Sequence, residues 1–253
     1  MTEARSSGPQ ISVCVATYNG AAFVSEQLLS ILDQLSPSDE VVVVDDASSD
    51  DTVARIEALV DPRIRVIALE RNAGYVRAFE RAISEARGHV VFLSDQDDRW
   101  LPNRVRDMME ALTEAALVVS NFSVFGGTAT FVQSRRLRAQ DSSRNLRNLF
   151  WIWIGLRPYY GCCMAFRAEL TPRLLPFPAF LSETHDQWIG MVGNASRSVI
   201  HLERDTIARR VHAGNASARG NRPLRTILAA RVMMARAMVE AIRRGGRRTP
   251  TSG

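Results

Sequence analysis

His89-Val90-Val91-Phe92-Leu93-Ser94-Asp95-Gln96-Asp97-Asp98-Arg99-Trp100 carries a short apolar run directly into three carboxylates within four positions. Open α/β sheets form their ligand crevice outside the carboxyl ends of buried strands. A cluster of acids at that place suits a divalent cation and the anionic ligand it neutralises, a diphosphate being the natural fit. If so, the rest of the chain must supply a nucleotide pocket upstream and a proton acceptor downstream.

Upstream, the strand-then-acid arrangement recurs. Ile11 to Ala16 is a β-rich run broken by Thr17-Tyr18-Asn19-Gly20, and Glu40-Val41-Val42-Val43-Val44 ends in Asp45-Asp46. Four valines in a row suit a central parallel strand buried on both faces. The helical period appears between the strands in Phe23, Val24, Leu28, Ile31, Leu32 and Leu35, then in Val53, Ile56, Leu59 and Val60, with Ser48 to Thr52 offering caps. Ile64 to Leu69 reads as another strand, and Tyr75, Phe79, Ala82, Ile83 and Ala86 as another helix. Alternation of this kind predicts an α/β domain with a mostly parallel sheet flanked by helices.

Downstream, Val105, Met108, Met109 and Leu112 predict a helix and Ala116 to Phe125 a strand. Gly126 to about Arg147 shows no period, the mark of a functional loop or mobile segment in such a domain. Trp151, Trp153, Tyr159 and Tyr160 are candidates either for an acceptor groove or for core, and Trp100 is expected to pack. A helix-like stretch spans Glu169 to Leu175, and a short apolar helix follows Thr184-His185-Asp186-Gln187-Trp188, with Thr184 or Asp186 as its cap. Two short strands are expected at Ser198 to Leu202 and Thr206 to Val211, then a long amphipathic helix from Leu224 to Ile242.

Composition narrows the classes. The chain has 253 residues, 46% hydrophobic, enough for a sizeable core. No run approaches the roughly 18 apolar residues that span a bilayer, and Met1 to Pro9 has no apolar segment after its charges, so a cytoplasmic location is expected. Cys14, Cys162 and Cys163 have neither disulfide-framework nor zinc spacing, and are expected as buried thiols. The net charge of +5 rests wholly on arginine, which suits phosphate recognition. Arg135 to Arg147 and Arg243 to Arg248 are its densest clusters, solvated faces or sites for an anionic membrane or acceptor. No nucleic-acid recognition motif accompanies them, so no nucleic-acid partner is expected.

Taken together, Val15 to Gly20, Val44 to Asp50 and Ser94 to Trp100 resemble the motifs of family 2 glycosyltransferases of the GT-A fold. Gly161 to Phe166, His185-Asp186-Gln187-Trp188 and Arg210-Val211-His212-Ala213-Gly214-Asn215 extend the resemblance over about residues 11–217, and the acidic variants look most like rhamnosyltransferase-type enzymes. The resemblance implies inverting transfer of a sugar, rhamnose from a thymidine diphosphate donor being the first expectation. The acceptor would be a carbohydrate or lipid-linked hydroxyl. It also implies that Thr17, Tyr18 and Asn19 flank the nucleoside, that Asp45 or Asp46 accepts bonds from base or ribose, and that Asp95 serves the ribose or a metal-bound water. Asp97 would bind Mg²⁺ or Mn²⁺ with His212 completing the site, Arg210 would face the diphosphate, and Asp186 would be the general base; Asp98 has no assigned role. Residues 1–10 are then a lead-in, 11–125 the donor half, 126–217 the acceptor half, and 218–253 a helix and polar tail with contact to the inner membrane as one use.

The chemistry makes the same demands. Breaking a sugar–diphosphate bond accumulates negative charge on the leaving group, which calls for a carboxylate-held cation. The attacking hydroxyl must lose its proton on the opposite face of the sugar, which calls for a second, separate carboxylate. The rivals are a sugar-1-phosphate nucleotidyltransferase, which needs a Gly-rich basic loop that Thr17 to Gly20 does not supply, and a non-catalytic Arg-rich binding module.

Overall fold

The computed structural model describes residues 8–128, 134–212 and 223–246. Its centre is a sheet of eight strands: β1 (Ile11–Thr17), β2 (Glu40–Asp45), β3 (Ile64–Ala68), β4 (Val90–Asp95), β5 (Arg99–Trp100), β6 (Leu117–Phe125), β7 (Met164–Arg167) and β8 (Val199–Arg210). Their order is β3-β2-β1-β4-β7-β6-β8-β5. The first four in that order run parallel, as do β6 and β8, whereas β7 is antiparallel to both its neighbours and β5 to β8. Helices α1 (Val24–Leu32), α2 (Thr52–Glu57), α3 (Tyr75–Glu85), α4 (Arg104–Ala111), α5 (Asn145–Trp153), α6 (Thr171–Leu174), α7 (His185–Ala195) and α8 (Leu224–Gly245) complete the described elements.

The parallel half follows from its sequence. Val41 to Val44 are wholly buried, since β-branched side chains fill both faces of a covered central strand. Register then does the functional work. Thr17 lies opposite Asp45, and Ala16 opposite Asp95, so the strands β1, β2 and β4 end level and their three polar loops share one edge.

In the second half, pairing between distant segments departs from local expectation. The two short strands expected between Ser198 and Val211 are one strand of 12 residues, β8. The polar Glu203-Arg204-Asp205 does not end it; an irregularity opposite Ser120 to Phe122 absorbs the misfit, and Asn121 Nδ2 donates to Glu203 O at 3.0 Å. The aperiodic span after Gly126 contains a 3₁₀ turn at Ala139–Asp141 and then α5. Leu137 is moored to β6 through the Asn121 amide, which accepts its N–H at 2.8 Å and donates to its carbonyl at 3.0 Å. Trp100 is core, donating from Nε1 to Ser94 Oγ at 3.0 Å. The three cysteines are free and buried.

Candidate active site

At the shared edge the first two loops tie each other down. Thr17 Oγ1 donates to Asp45 Oδ1 at 2.8 Å, and Ser48 reaches the same carboxylate from its N–H at 2.8 Å and its hydroxyl at 2.6 Å. Asp46 accepts the N–H groups of Ala73 (2.6 Å) and Gly74 (2.9 Å), so it anchors the start of α3 and does not cap the helix that follows it. Both acids are buried, and Tyr18 beside them is 48% exposed. Asn19 takes a left-handed backbone, φ 47°, donates its N–H to Ser48 Oγ and accepts that of Ser49, each at 2.8 Å.

The third loop clamps the first. Gln96 accepts the Tyr18 N–H at Oε1 (2.8 Å) and donates from Nε2 to the Tyr18 carbonyl (3.1 Å). Gly20 lies so close to this amide that a Cβ there would collide with it, a physical reason for glycine at that position. Gln96 was not among the residues read from the sequence as functional, because an amide in an acidic string carries no signal until its partner strand is known.

Asp97 and His212, the expected cation pair, do meet: Nε2 of His212 sits 2.8 Å from Asp97 Oδ2, with the Phe23 ring 4.6 Å from the imidazole. Gly214 and Asn215 of the same motif lie outside the described residues. Asp98 is buried and accepts the Arg210 N–H at 3.0 Å, which fastens the acidic loop to β8. Asp95, Asp98 and Cys162 bring one potential ligand atom each within 4.8 Å of one another. Burial first, and then the neighbouring carboxylates, pushes the Asp95 and Asp98 carboxyls well above the ordinary carboxylate range. A divalent cation relieves that repulsion, so the acids and His212 fit Mg²⁺ or Mn²⁺. Cys162 fits less well: its hydrogen bond with Cys163 and its burial hold the thiol protonated, and a hard cation prefers oxygen.

Arg210 lies on the outer side of this loop. Its guanidinium donates to Asp97 O at 3.0 Å and to Glu26 Oε2 at 2.6 Å, and rests over Phe23 and Phe125 at 5.0 and 4.5 Å. Adjacent residues of a strand face opposite sides. Arg209 is accordingly turned inward, buried over the Tyr160 ring at 4.4 Å, with Nε 3.8 Å from Asp98 Oδ2.

Asp186 stands in the first turn of α7, half-buried, with Oδ1 accepting the Gln187 N–H at 2.7 Å. Thr184 occupies the cap position of α7 without a capping side-chain bond. Burial drives the Asp186 carboxyl up to about 7, Asp95 adds to the rise and Arg209 opposes it. Asp186 thus shares an electrostatic environment with Asp95. Beside it His185 is buried and stacked on Phe79 at 4.2 Å, and burial pushes its imidazole down to about 3. A Cβ on Gly161 would come within 2.9 Å of His185 Nε2 and 3.7 Å of the Asp186 Cβ, so the turn at Gly161–Cys163 closes flush against the start of α7. Tyr159 is core, its hydroxyl 2.6 Å from His201 Nε2, whereas Tyr160 is the aromatic that faces Arg209 and Asp186.

Sheet order and level loops that gather acids at the carboxyl ends of the strands are those of the nucleotide-diphospho-sugar transferase type of fold. The sequence matches the family described as "Glycosyl transferase family 2" over residues 12–175, and the chain belongs to that family. It is 41% identical over 118 residues to the succinoglycan biosynthesis protein ExoO of Rhizobium meliloti, covering 46% of this chain and 34% of that one. It is 30% identical over 199 residues to the Escherichia coli UDP-Glc:alpha-D-GlcNAc-diphosphoundecaprenol beta-1,3-glucosyltransferase WfgD, covering 76% and 73%. The chain spans 34% and 45% of the length of ExoO and of the putative teichuronic acid biosynthesis glycosyltransferase TuaG of Bacillus subtilis. Among solved structures, the fold is shared with S. aureus TarS 1-349 in complex with UDP-GlcNAc, at a TM-score of 0.67 and 20% identity over 93% of this chain and 72% of that one. It is shared also with the mannosyltransferase PcManGT of Pyrobaculum calidifontis in complex with GDP-Man and Mn²⁺, at 0.59 and 19% over 94% and 74%.

Proposed function

We propose that this chain is an inverting, metal-dependent glycosyltransferase that moves a hexose from a nucleoside diphosphate to a hydroxyl of a growing cell-surface polysaccharide or lipid-linked oligosaccharide. The observation that carries the reading is the meeting of Asp97 and His212 in the loop that follows β4, with Asp95 and Asp98 clustered beside them and Asp186 set apart on α7. A base poised near neutrality deprotonates the acceptor oxygen as that oxygen attacks the anomeric carbon. The bond to the diphosphate breaks on the opposite face, so configuration inverts. A divalent cation, Mg²⁺ or Mn²⁺, held by Asp97 and His212 with Asp95 alongside, supplies when bound the positive charge that the leaving diphosphate needs.

On the donor side, Thr17, Tyr18 and Asn19 form the wall of the nucleoside pocket. The exposed Tyr18 ring offers a stacking surface, while Asp45 and Asp46 stiffen the loops around base and ribose. Residues 11–125 make up this donor half and 126–217 the acceptor half. The relatives name uridine and guanosine diphosphate sugars, so UDP-glucose stands beside thymidine diphosphate rhamnose as a first donor to test.

The long helix α8 supplies the membrane contact. Leu224, Leu228, Val232, Val239 and Ile242 form an exposed stripe at helical spacing on the side away from buried Met234, Ala237 and Ala241, and Arg225, Arg236 and Arg243 border it. Apolar residues edged by arginine match an anionic lipid surface, where a lipid-linked acceptor resides. Among the described residues no helix is long and apolar enough to cross a membrane, so the contact is peripheral.

The test is a panel of nucleotide sugars screened for binding and for release of nucleoside diphosphate with Mg²⁺ or Mn²⁺, with and without chelator. Metal-dependent turnover of one donor is expected. Full-rate turnover in chelator would remove the metal assignment, and release of pyrophosphate from a nucleoside triphosphate plus sugar phosphate would replace the reading with nucleotidyl transfer.

A further inference from the structure

Two consecutive arginines end β8, and the sequence motif points to the second. The structure separates them. Arg210 is fully engaged on the outer side, between two phenylalanine rings and in contact with Glu26, Asp97 and Asp98. Arg209 is 8% exposed, yet its Nε and Nη1 have no hydrogen-bond partner. Its nearest carboxylate oxygen, Asp98 Oδ2, is 3.8 Å away and is likewise without a hydrogen bond.

Buried polar groups are almost always paired, and a guanidinium left with open donors beside a functional cleft marks a place for an acceptor supplied from outside. The Tyr160 and Phe122 rings, 4.4 and 5.3 Å from the guanidinium carbon, pack against it and offer its buried donors no hydrogen-bond acceptor. The groups beside it point to the ligand. Its Nε lies 3.8 Å from Asp98 Oδ2, and Asp98 clusters with Asp95, so the guanidinium stands at the rim of the acid cluster. Three carboxylates by themselves repel a diphosphate. A fixed cation inside the cleft reverses that field at the one point where the leaving group must carry its new charge.

We propose that Arg209, and not Arg210, is the side chain that binds the terminal phosphate of the nucleoside diphosphate, planar donors meeting phosphate oxygens as the sugar departs. Arg210 then serves as the strap that fixes the acidic loop to β8. This rests on the reading above that the cleft holds a nucleoside diphosphate sugar, and it adds the residue that separates a diphosphate from a monophosphate.

Calorimetric titration with Mg²⁺ present, using UDP, GDP and TDP and each corresponding monophosphate, reads this preference directly. Wild-type protein is expected to favour one diphosphate over its monophosphate. Arg209→Gln should lose about tenfold or more of diphosphate affinity with monophosphate affinity nearly unchanged, and Arg209→Lys should keep part of the preference. An unchanged ratio in Arg209→Gln, or a ratio that collapses only in Arg210→Gln, overturns the proposal. If circular dichroism shows that Arg209→Gln does not fold, Arg209→Lys decides, because a full wild-type ratio without the planar fork is equally fatal. Wild-type protein that binds none of the nucleotides would instead sink the parent reading.

Discussion

At Asp186 the proposed function makes one carboxyl answer to both catalysis and stability. Its pKa is raised from the model-compound range to about 7, chiefly by burial. For transfer, the ionised form is the active one, so kcat is expected to rise with pH and level off above about 7. A profile that is flat from pH 5.5 to 8.5, with chemistry rate-limiting, would deny Asp186 the role of base. For folding the sign is opposite. A carboxyl whose folded pKa exceeds its unfolded value of about 3.9 leaves stability intact below that value and removes it as pH climbs towards 7. Asp186→Asn should therefore melt higher than wild type at pH 8 and about equally at pH 4. The same variant should lower transfer by about 10²–10⁴-fold while retaining nucleotide binding. Loss of both activities together would show that the residue is structural.

At the scale of elements, the two-residue strand β5 has influence out of proportion to its length. Arg99 pairs with Ala208 and Trp100 with Ile207, which draws Arg209, Arg210 and His212 to the acidic loop. Trp100 anchors the arrangement: it is 3% exposed, lies 4.7 Å beneath the Arg104 guanidinium and is hydrogen-bonded to Ser94. Trp100→Ala is expected to cost about 3–5 kcal/mol in denaturant unfolding. Because the loop and β8 share this anchor, metal affinity should fall in the same variant under conditions where it remains folded. Normal Mn²⁺ binding in the folded variant would mean that the two segments hold their places independently of β5.

On the scale of the whole molecule, the proposed function divides the two substrates between the acid-lined strand edge and α8. α7, which carries Asp186 in its first turn, packs along α8, so the helix proposed to carry the base also supports the helix with the apolar stripe. Sedimentation with vesicles containing anionic lipid should capture the protein, and added salt should weaken but not abolish capture. Replacing Leu228, Val232 and Val239 with serine should abolish it while donor hydrolysis continues. Equal capture of that variant would leave the arginines alone as the cause, and a dimer that dissociates on the same substitutions would show that a second copy covers the stripe.

What the chain determined unaided is its periodic part. Four valines before Asp45, the apolar run before Asp95 and the helical spacing from Phe23 to Leu35 are local patterns, because burial on a strand or helix repeats every two or three to four residues. The acids that follow the strands were legible beside those runs, and the motifs holding Asp97 and His212 were legible as residues that belong together, which the 2.8 Å contact between them bears out. Only the tertiary structure decided which groups meet. It joined two expected strands into β8, turned Gln96 into a clamp on Tyr18, put Asp46 at the start of α3 and turned Arg209 over the Tyr160 ring. Each of these depends on pairing between segments far apart in sequence, and strand register, to which a one-residue slip is decisive, is written in no single segment.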